Sequence, residues 1–254
     1  YPNNEFDLMW KKLLLNQFHD IIPGSSINLV YQTTHAEYDQ IHRGCDELMD
    51  NAAKMLFEED ENSFVLVNNL SYVWKGTIKV PDGFRGYSLF TEDEKNLEIQ
   101  AVGEETYASV ELEPLSFKTI KRGDKLVLND NGDQSNVLEN SFIKYKFKNG
   151  TLVSIFDKTL NKEFLSGIGN IISLYEDRPN NWDAWDIDFF YRNALMETAT
   201  LENIESIHKG NVFEQIKFKF SIGSSKIEQT VILSAHSKRL DFKTSVEWKE
   251  RHKM

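Results

Sequence analysis

The sequence predicts an α+β protein with several domains, in which an N-terminal helical bundle segment is followed by antiparallel β-sandwich domains. Apolar residues in the first sixty positions recur at steps of three and four, which is the period of a helix. After residue 63 the chain changes to short alternating segments separated by Gly, Pro, Asn and Asp, which is typical of strands and turns. We therefore expect a helical domain at residues 1–60, a small β-sandwich at 63–130 and a large, truncated β-sandwich at 134–254.

The first helix is predicted from an apolar face, and a turn follows it. The face is formed by Phe6, Met9, Trp10, Leu13 and Leu14. Pro23 disfavours helical dihedrals at the residue before it, and Gly24 tolerates the dihedrals of a turn. Either Ser25 or Ser26 can then cap a second helix, because a hydroxyl oxygen accepts a hydrogen bond from a free backbone N–H.

The second helix is predicted to be long and to pack along its length. Steps of three and four alternate in a seam formed by Tyr31, Thr34, Tyr38, Ile41, Cys45, Leu48, Ala52 and Met55. Gly44 inside this helix costs about 1 kcal/mol relative to alanine. Acidic residues at positions 58–61 are unfavourable at the negative end of the helix dipole, so we place the end of the helical domain there.

The two sandwiches are predicted from strand patterns on either side of a polar linker. Short strands between residues 64 and 128 indicate the small sandwich, and the linker occupies residues 130–133. Alternation at 143–147, 216–222 and 240–248 predicts long strands with one apolar and one solvated face. Asn149 and Gly150 supply the positive φ angles of a tight hairpin after the first of these.

Composition and charge exclude several functional classes. The 254 residues include 29 Lys and Arg against 40 Asp and Glu, which gives a net charge of −11. Nucleic-acid binding needs clustered positive charge, so we expect no nucleic-acid partner. No apolar run approaches the roughly 20 residues of a membrane helix, so we expect no membrane partner. Cys45 is the single cysteine, which excludes an internal disulfide and a zinc site built mainly of thiolates.

Both ends of the chain suggest a piece of a longer polypeptide. Tyr1 stands where an initiating methionine is expected, and no charged-then-apolar leader follows it. Met254 comes directly after an alternating strand and a charged tail. We therefore expect some partners of any site in this chain to lie outside it.

One segment with catalytic potential lies between the two predicted helices, at residues 16–26. His19 and Asp20 are adjacent at a helix end, where side chains about 100° apart can line one cleft. A neutral imidazole is the commonest metal ligand, and a carboxylate accepts hydrogen bonds from sugar hydroxyl groups. The alternative is a surface histidine beside an aspartate that starts a turn. Two ligands do not complete a zinc site, so the functional interpretation needs ligands from outside the chain.

The second such segment, at residues 182–191, is rich in tryptophan and aspartate. Aromatic faces stack on the C–H surfaces of sugars, and carboxylates accept hydrogen bonds from sugar hydroxyl groups. We therefore predict four substrate-binding residues here: Trp182, Asp183, Trp185 and Asp186. The alternative is a long loop that its tryptophans anchor.

Several stretches resemble one enzyme family. Residues 16–26, with Val30, Tyr31 and Tyr38 in the following helix, resemble the zinc-ligand segment of glycoside hydrolase family 38 α-mannosidases. Residues 182–191 resemble a second signature of that family, and residues 142–157 and 246–250 resemble its C-terminal sandwich. The matches follow the family's order along nearly the whole chain.

The resemblance implies a fold, a cofactor and roles for two residues. Family members join an N-terminal α/β-barrel to a three-helix domain and to β-sandwiches of the mutarotase-like type, so this chain corresponds to part of the helical domain and the first sandwiches, without the catalytic barrel. The implied cofactor is Zn²⁺, with His19 as the ligand from this chain and the other ligands from the barrel. Asp20 is expected to bind a hydroxyl of the mannose. The nucleophile and the acid/base are expected in the missing barrel, so no catalytic residue is expected here.

The implied activity is zinc-dependent, retaining hydrolysis of terminal α-linked mannose from oligosaccharides or glycans. We expect the loop at 182–188 to reach toward the cleft of the barrel. A cytoplasmic location is implied by family members without secretory leaders and agrees with the single cysteine. One alternative is a non-catalytic carbohydrate-binding or interaction module. Another is a metal-dependent phosphohydrolase with a His-Asp pair, which would need further ligands such as His35 or His42 in an all-helical domain.

Overall fold

The computed structural model describes residues 1–127, 135–182 and 185–254. Its α-helices and antiparallel sheets confirm the predicted α+β class. The chain divides into two compact units: unit 1 comprises Tyr1–Asp60 and Asp177–Arg192, and unit 2 comprises Glu61–Glu176 and Asn193–Met254. The sequence pattern assigned residues 177–192 to the large sandwich, whereas the structure groups them with the helices. The predicted linker at 130–133 lies outside the described residues.

Within its described residues, unit 1 contains two α-helices, α1 (Asn3–Asn16) and α2 (Asn28–Leu56). The Met9 thioether lies over Gly44, where an added Cβ would approach the sulfur atom to 2.8 Å. The glycine therefore lets the helices approach closely, which explains its presence inside α2. Met55 at the far end of the seam is 88% exposed, so the last turn of α2 leaves its apolar side chain uncovered. Neither helix is long and apolar enough to span a bilayer.

The predicted serine cap of α2 is wrong. The helix begins at Asn28 with Ile27 as its N-cap residue, and no side chain caps it. Ser25 Oγ instead lies 3.3 Å from a carboxylate oxygen of Asp20, and the backbone N–H of Ser26 donates to the Tyr31 hydroxyl group. Serine side chains commonly bond to nearby groups of a turn, and here the Ser25 side chain and the Ser26 backbone support the turn instead of capping the helix.

The first part of unit 2 is a small sandwich of antiparallel strands. Its strands are β1 (Ser63–Asn68), β2 (Trp74–Lys79), β3 (Tyr87–Thr91), β4 (Ile99–Val102), β5 (Glu105–Leu112) and β6 (Ser116–Lys125). One sheet has the order β1-β6-β3 and the other the order β2-β5-β4. A core cluster contains Val80, Phe84, Leu89, Ala108 and Ile120. Burial alternates along β5, so one face of that strand meets the core.

The second part of unit 2 contains longer strands around a larger core. Its strands are β7 (Val137–Glu139), β8 (Ile143–Lys148), β9 (Thr151–Asp157), β10 (Lys162–Glu163), β11 (Ser173–Tyr175), β12 (Leu195–Thr198), β13 (Thr200–His208), β14 (Phe213–Ile222), β15 (Ser225–Ser234) and β16 (Leu240–Glu247). They form sheets with the orders β10-β9-β8-β7 and β13-β14-β15-β16, and the pair β11-β12. In the core, Phe147 of β8 meets Phe218 of β14 with ring centroids 5.4 Å apart. Asn149 and Gly150 have φ values of 52° and 76°, which confirms the predicted hairpin.

A buried glutamine joins the two parts of unit 2. Gln100 on β4 accepts hydrogen bonds at its side-chain oxygen from the backbone N–H groups of Val212 and Phe213, at 3.1 Å each. The rings of Tyr107 and Phe213 pack edge to face, with centroids 5.1 Å apart. Gly210 makes room for this contact, since an added Cβ would lie 2.2 Å from the Gln100 side chain. These contacts hold the small sandwich against the start of β14.

Asp157, at the end of β9, is a buried acceptor of several hydrogen bonds. Its carboxylate accepts from Lys238 Nζ at 2.7 Å, from the Thr159 hydroxyl at 2.6 Å, and from the backbone N–H groups of Thr159 and Leu160 at 2.9 and 3.0 Å. The hydrogen bond from Lys238 and then that from Thr159 hold the pKa of the carboxyl group below its ordinary value.

We expect Asp157→Asn to lower the melting temperature at about pH 7, because an amide replaces a charged acceptor. Since the folded-state pKa lies below the unfolded-state pKa, the carboxylate contributes fully above about pH 5, and the contribution is lost as the pH falls through the folded-state pKa. Thermal unfolding should therefore show a larger difference between wild type and variant near pH 7 than near pH 3. Equal differences would contradict this account. The exposed Asp124, replaced by Asn, is the control and should leave the melting temperature unchanged.

Candidate functional site

The candidate site is built on a double turn that follows α1 in unit 1. We call residues 17–26 the site turn. The Ile21 N–H donates to the Phe18 carbonyl at 2.9 Å, and the Gly24 N–H donates to the Ile21 carbonyl at 3.2 Å. Gly24 has a φ of 87°, a conformation that glycine adopts without strain. His19 and Asp20 therefore lie in the turn just beyond the helix, whereas the sequence placed them at the helix end.

Tyr31 fixes the site turn to the first part of α2. Its hydroxyl oxygen accepts the backbone N–H of Ser26 at 2.9 Å and lies 3.2 Å from the carbonyl oxygen of Asp20, to which it can donate. The Ser25 hydroxyl lies within hydrogen-bond distance of the Asp20 carboxylate. The backbone of Asp20 is thus bonded to a helix, and its side chain has a second support.

The two predicted site residues stay accessible. His19 Nε2 lies 3.5 Å from Asp20 Oδ2, and the side chains are 67% and 38% exposed. The imidazole ring packs beside Phe18 with centroids 4.2 Å apart. An exposed imidazole next to a carboxylate can present donors to a metal ion or to a hydroxyl-rich ligand.

The loop at residues 182–188, which we call the tryptophan loop, brings the ring of Trp185 close to His19. The ring centroids of Trp185 and His19 are 6.1 Å apart, within the range of aromatic pairs. The backbone N–H groups of Trp185 and Asp186 donate to the Trp182 carbonyl at 2.7 and 2.9 Å, so Trp182 is bonded to the following described part of the loop. Trp182 and Trp185 are 74% and 55% exposed. The structure thus gathers His19, Asp20 and Trp185 in one place.

The other predicted loop residues have different surroundings. Asp186 Oδ1 accepts the backbone N–H of Ile187 at 2.9 Å, so this carboxylate supports its own loop. Trp182 has a φ of 61°, the left-handed conformation that lets the turn close. Asp188, which the sequence analysis did not name as a site residue, accepts the N–H of Asn180 at 2.7 Å and holds the loop base. Asp183 lies outside the described residues.

The donors at the site fit part of a zinc site. An imidazole nitrogen and a carboxylate oxygen both bind Zn²⁺, which usually takes four ligands in proteins. Among residues 1–127, 135–182 and 185–254, no group of three or more His, Cys, Asp and Glu side chains could hold a metal ion. His35 and His42 are exposed on α2 and add no ligand to such a group. The pair at 19 and 20 could therefore hold zinc only with ligands from another domain.

Two family models match this chain, one in its helical part and one in its C-terminal β-sheet part. The model of the "Glycosyl hydrolases family 38 C-terminal domain" matches residues 138–254, and that of the "Alpha mannosidase middle domain" matches residues 1–56. The chain belongs to glycoside hydrolase family 38. Both predicted signatures fall inside these matches, since the site turn lies in the middle domain and the tryptophan loop in the C-terminal domain.

Curated relatives of this family 38 chain are α-mannosidases. Human Alpha-mannosidase 2C1 is 27% identical, with 100% of this chain and 24% of the relative covered. Alpha-mannosidase G of Dictyostelium discoideum is 24% identical, with 97% and 27% covered. The Saccharomyces cerevisiae Alpha-mannosidase is 24% identical, with 100% and 22% covered. The chain thus spans about a quarter of the length of these relatives.

The sequence pattern missed how the candidate site is supported. The seam assigned Tyr31 to helix packing alone, yet its hydroxyl group bonds to the site turn. Ser26 and Asp20 precede Tyr31 by five and eleven positions and lie across the Pro-Gly turn from it, so no single helix or strand relates them. The hydroxyl group of Tyr31, a seam residue shortly after the Pro-Gly-Ser-Ser turn, is the signal that could have indicated this bond to the site turn.

Proposed function

We propose that this chain forms the helical middle domain and the start of the C-terminal sandwich region of a zinc-dependent, retaining α-mannosidase. The full protein hydrolyses terminal α-linked mannose from oligosaccharides or glycans. The observation that carries the proposal is the cluster of an exposed imidazole, a carboxylate and an indole ring in a family 38 chain. An imidazole can bind a metal ion, and a carboxylate and an indole ring can bind a sugar.

His19 is the proposed zinc ligand of this chain. Its ring packs at a tilt beside that of Phe18 and is 67% exposed, so a ring nitrogen can reach a metal ion. When bound, zinc supplies positive charge that holds and polarises sugar hydroxyl groups. The remaining ligands, the nucleophile and the acid/base belong to the N-terminal catalytic domain that we propose as the partner in the same polypeptide.

Asp20 and Trp185 are the proposed sugar contacts. The Asp20 carboxylate accepts a hydroxyl hydrogen bond from the mannose next to the metal, and its backbone bond to Tyr31 keeps it at a fixed position. The Trp185 indole offers its exposed face to a neighbouring sugar ring. Trp182 and Asp186, together with Asp183 from the sequence prediction, are the other proposed sugar contacts of this segment. We also propose a cytoplasmic location, which the single cysteine supports.

We expect the 254-residue chain by itself to hydrolyse no α-mannoside and to hold zinc weakly. Retaining glycosidases need two carboxyl groups about 5 Å apart, and the proposed pair is in the other domain. Release of an aryl leaving group from an α-mannoside measures the activity, and calorimetric titration measures zinc binding. The His19→Ala chain is the control, and it should lose the weak zinc binding. Turnover that persists through further purification steps would contradict the proposal that the nucleophile and the acid/base lie in the N-terminal catalytic domain.

A further inference from the structure

Unit 2 contains a cleft that plays no part in the proposed zinc site. It lies between the β2–β5 edge of the small sandwich and the strands β14, β15 and β16 of the long sheet, and its volume is about 580 Å³. Small-molecule sites in proteins have volumes of about 300–1,000 Å³. The lining includes Tyr72, Trp74, Tyr107, Phe213, Arg239 and Asp241. The cleft is therefore large enough for a small oligosaccharide.

A glycine holds the indole of Trp74 in place at the cleft. Trp74 and Gly76 lie on the same face of β2, because side chains two apart in a strand point the same way. A Cβ added at Gly76 would lie 2.7 Å from Cζ2 and 2.9 Å from Cη2 of the indole. The ring thus lies against the bare backbone of Gly76. Gly76 therefore leaves room for the indole at the cleft, and a side chain at position 76 would displace the ring.

The walls of the cleft are fixed relative to each other. Gln100 bonds the backbone at Val212 and Phe213, and the edge-to-face pair of Tyr107 and Phe213 forms part of the lining. A preformed site loses less conformational entropy on binding than one that must close. The cleft therefore has the rigidity of a binding site rather than of a loose interdomain gap.

The charges in the cleft favour a neutral ligand. Each lining cation is paired with an acid: Lys75 with Glu111 at 3.1 Å, Lys79 with Glu105 at 2.9 Å, and Arg239 with Asp241 at 2.8 Å. A second nitrogen of Arg239 lies 3.1 Å from the other Asp241 oxygen, so the pair is forked. No lining lysine or arginine is left without an acidic partner to attract a phosphate or another anion.

The forked pair also offers the polar groups that sugars need. A guanidinium has five N–H donors and a carboxylate has about four acceptor positions, so both keep free capacity after they bond to each other. Neighbouring hydroxyl groups of a pyranose act as donors and acceptors together. An indole ring and a planar donor–acceptor pair that line the same cleft are suited to a hydroxyl-rich ring with an apolar C–H face.

We propose that this cleft is a carbohydrate-binding site for a neutral oligosaccharide, in which a pyranose ring stacks on Trp74 and the Arg239–Asp241 pair binds its hydroxyl groups. The site is independent of the proposed zinc site, since no residue is shared. It binds sugar without cleaving it, because its acid Asp241 is bonded to Arg239 and no second carboxyl group belongs to the lining that the structure describes.

The test uses the whole 254-residue chain with two neutral probes, an α-linked mannotriose and cellotriose, and saturation-transfer NMR with calorimetry. At least one probe should bind, and Trp74→Ala should weaken that binding at least about tenfold. Gly76→Ala should also weaken it, because the new methyl group displaces the indole while the tryptophan remains. Trp248→Ala, which removes a more exposed tryptophan outside the cleft, is the control and should bind like wild type.

The outcomes separate this inference from the zinc site. Binding that depends on Trp74 and survives His19→Ala supports the cleft even if the mannosidase proposal fails. Absence of binding by both trisaccharides, or equal binding by wild type and the Trp74 and Gly76 variants, overturns it. Displacement of the sugar by inorganic phosphate overturns the neutral-ligand assignment. If Trp74→Ala lowers the melting temperature strongly, sugar binding is compared in Trp74→Phe and Gly76→Ala instead. Weaker binding by these two variants than by wild type supports the cleft, and equal binding overturns it.

Discussion

In a polypeptide that joins this chain to the proposed barrel domain, His19→Ala is expected to lower both bound zinc and kcat/KM by at least about 100-fold. The imidazole is one of about four ligands in the proposed site, and alanine offers no donor to replace it. Because the His19 side chain is 67% exposed, we expect its removal to change the free energy of unfolding by about 0.5 kcal/mol or less, so the loss reports on the metal site and not on folding.

Metal analysis of the dialysed protein and steady-state hydrolysis of an aryl α-mannoside measure the two quantities. His35→Ala and His42→Ala are the matched controls, because both imidazoles are exposed on α2 of the same unit. Both variants should keep zinc and activity. If His19→Ala keeps its zinc content and turnover as well, the ligand assignment is wrong, although the family membership is unaffected.

The second large effect is expected in the core of unit 2. Phe218 is fully buried on β14, and its ring lies 5.4 Å from that of Phe147 and 5.9 Å from that of Phe220. Phe218→Ala removes a large side chain from between the sheets and leaves a cavity. We expect it to lower the free energy of unfolding by about 3–5 kcal/mol.

Urea unfolding of the 254-residue chain, followed by circular dichroism in the β region, measures this loss. Phe242→Ala is the matched control, because Phe242 lies on β16 and is 43% exposed. Its removal should cost about 1–2 kcal/mol, clearly less than the loss at Phe218, since 43% of its surface is already exposed to water. Similar losses for the two variants would show that the cavity at Phe218 collapses and that burial does not rank these positions.

The sequence predicted elements whose pattern is local and periodic. The alternation at 216–222 predicted a strand with one buried face, and the apolar residues of that stretch are buried on β14. The same pattern at 240–248 predicted a strand correctly, but Phe242 and Val246 are 43% and 48% exposed. The two-residue period predicts a strand and shows which side chains share a face. Whether that face is buried depends on what packs against it, and β16 lies at an edge of its sheet.

The candidate site was predictable only in part. His19 and Asp20 were found from their adjacency before a turn and from the family resemblance. The proximity of Trp185 to His19, and the bond of Tyr31 to the site turn, join residues with no periodic relation. Such contacts follow from how distant segments pack, which no local pattern of apolar residues encodes.

The exposed face of β16 has a consequence for the behaviour of the chain in concentrated solution. Phe242 and Val246 form an exposed apolar stripe on one face of β16, at an edge of the sheet. Lys243 and Glu247 lie on the opposite face of the strand and carry charge. Charged edge residues discourage strand-to-strand joining, but they do not shield the stripe. Colloidal self-association of the purified chain should therefore proceed by stacking of these stripes rather than by extension of the sheet.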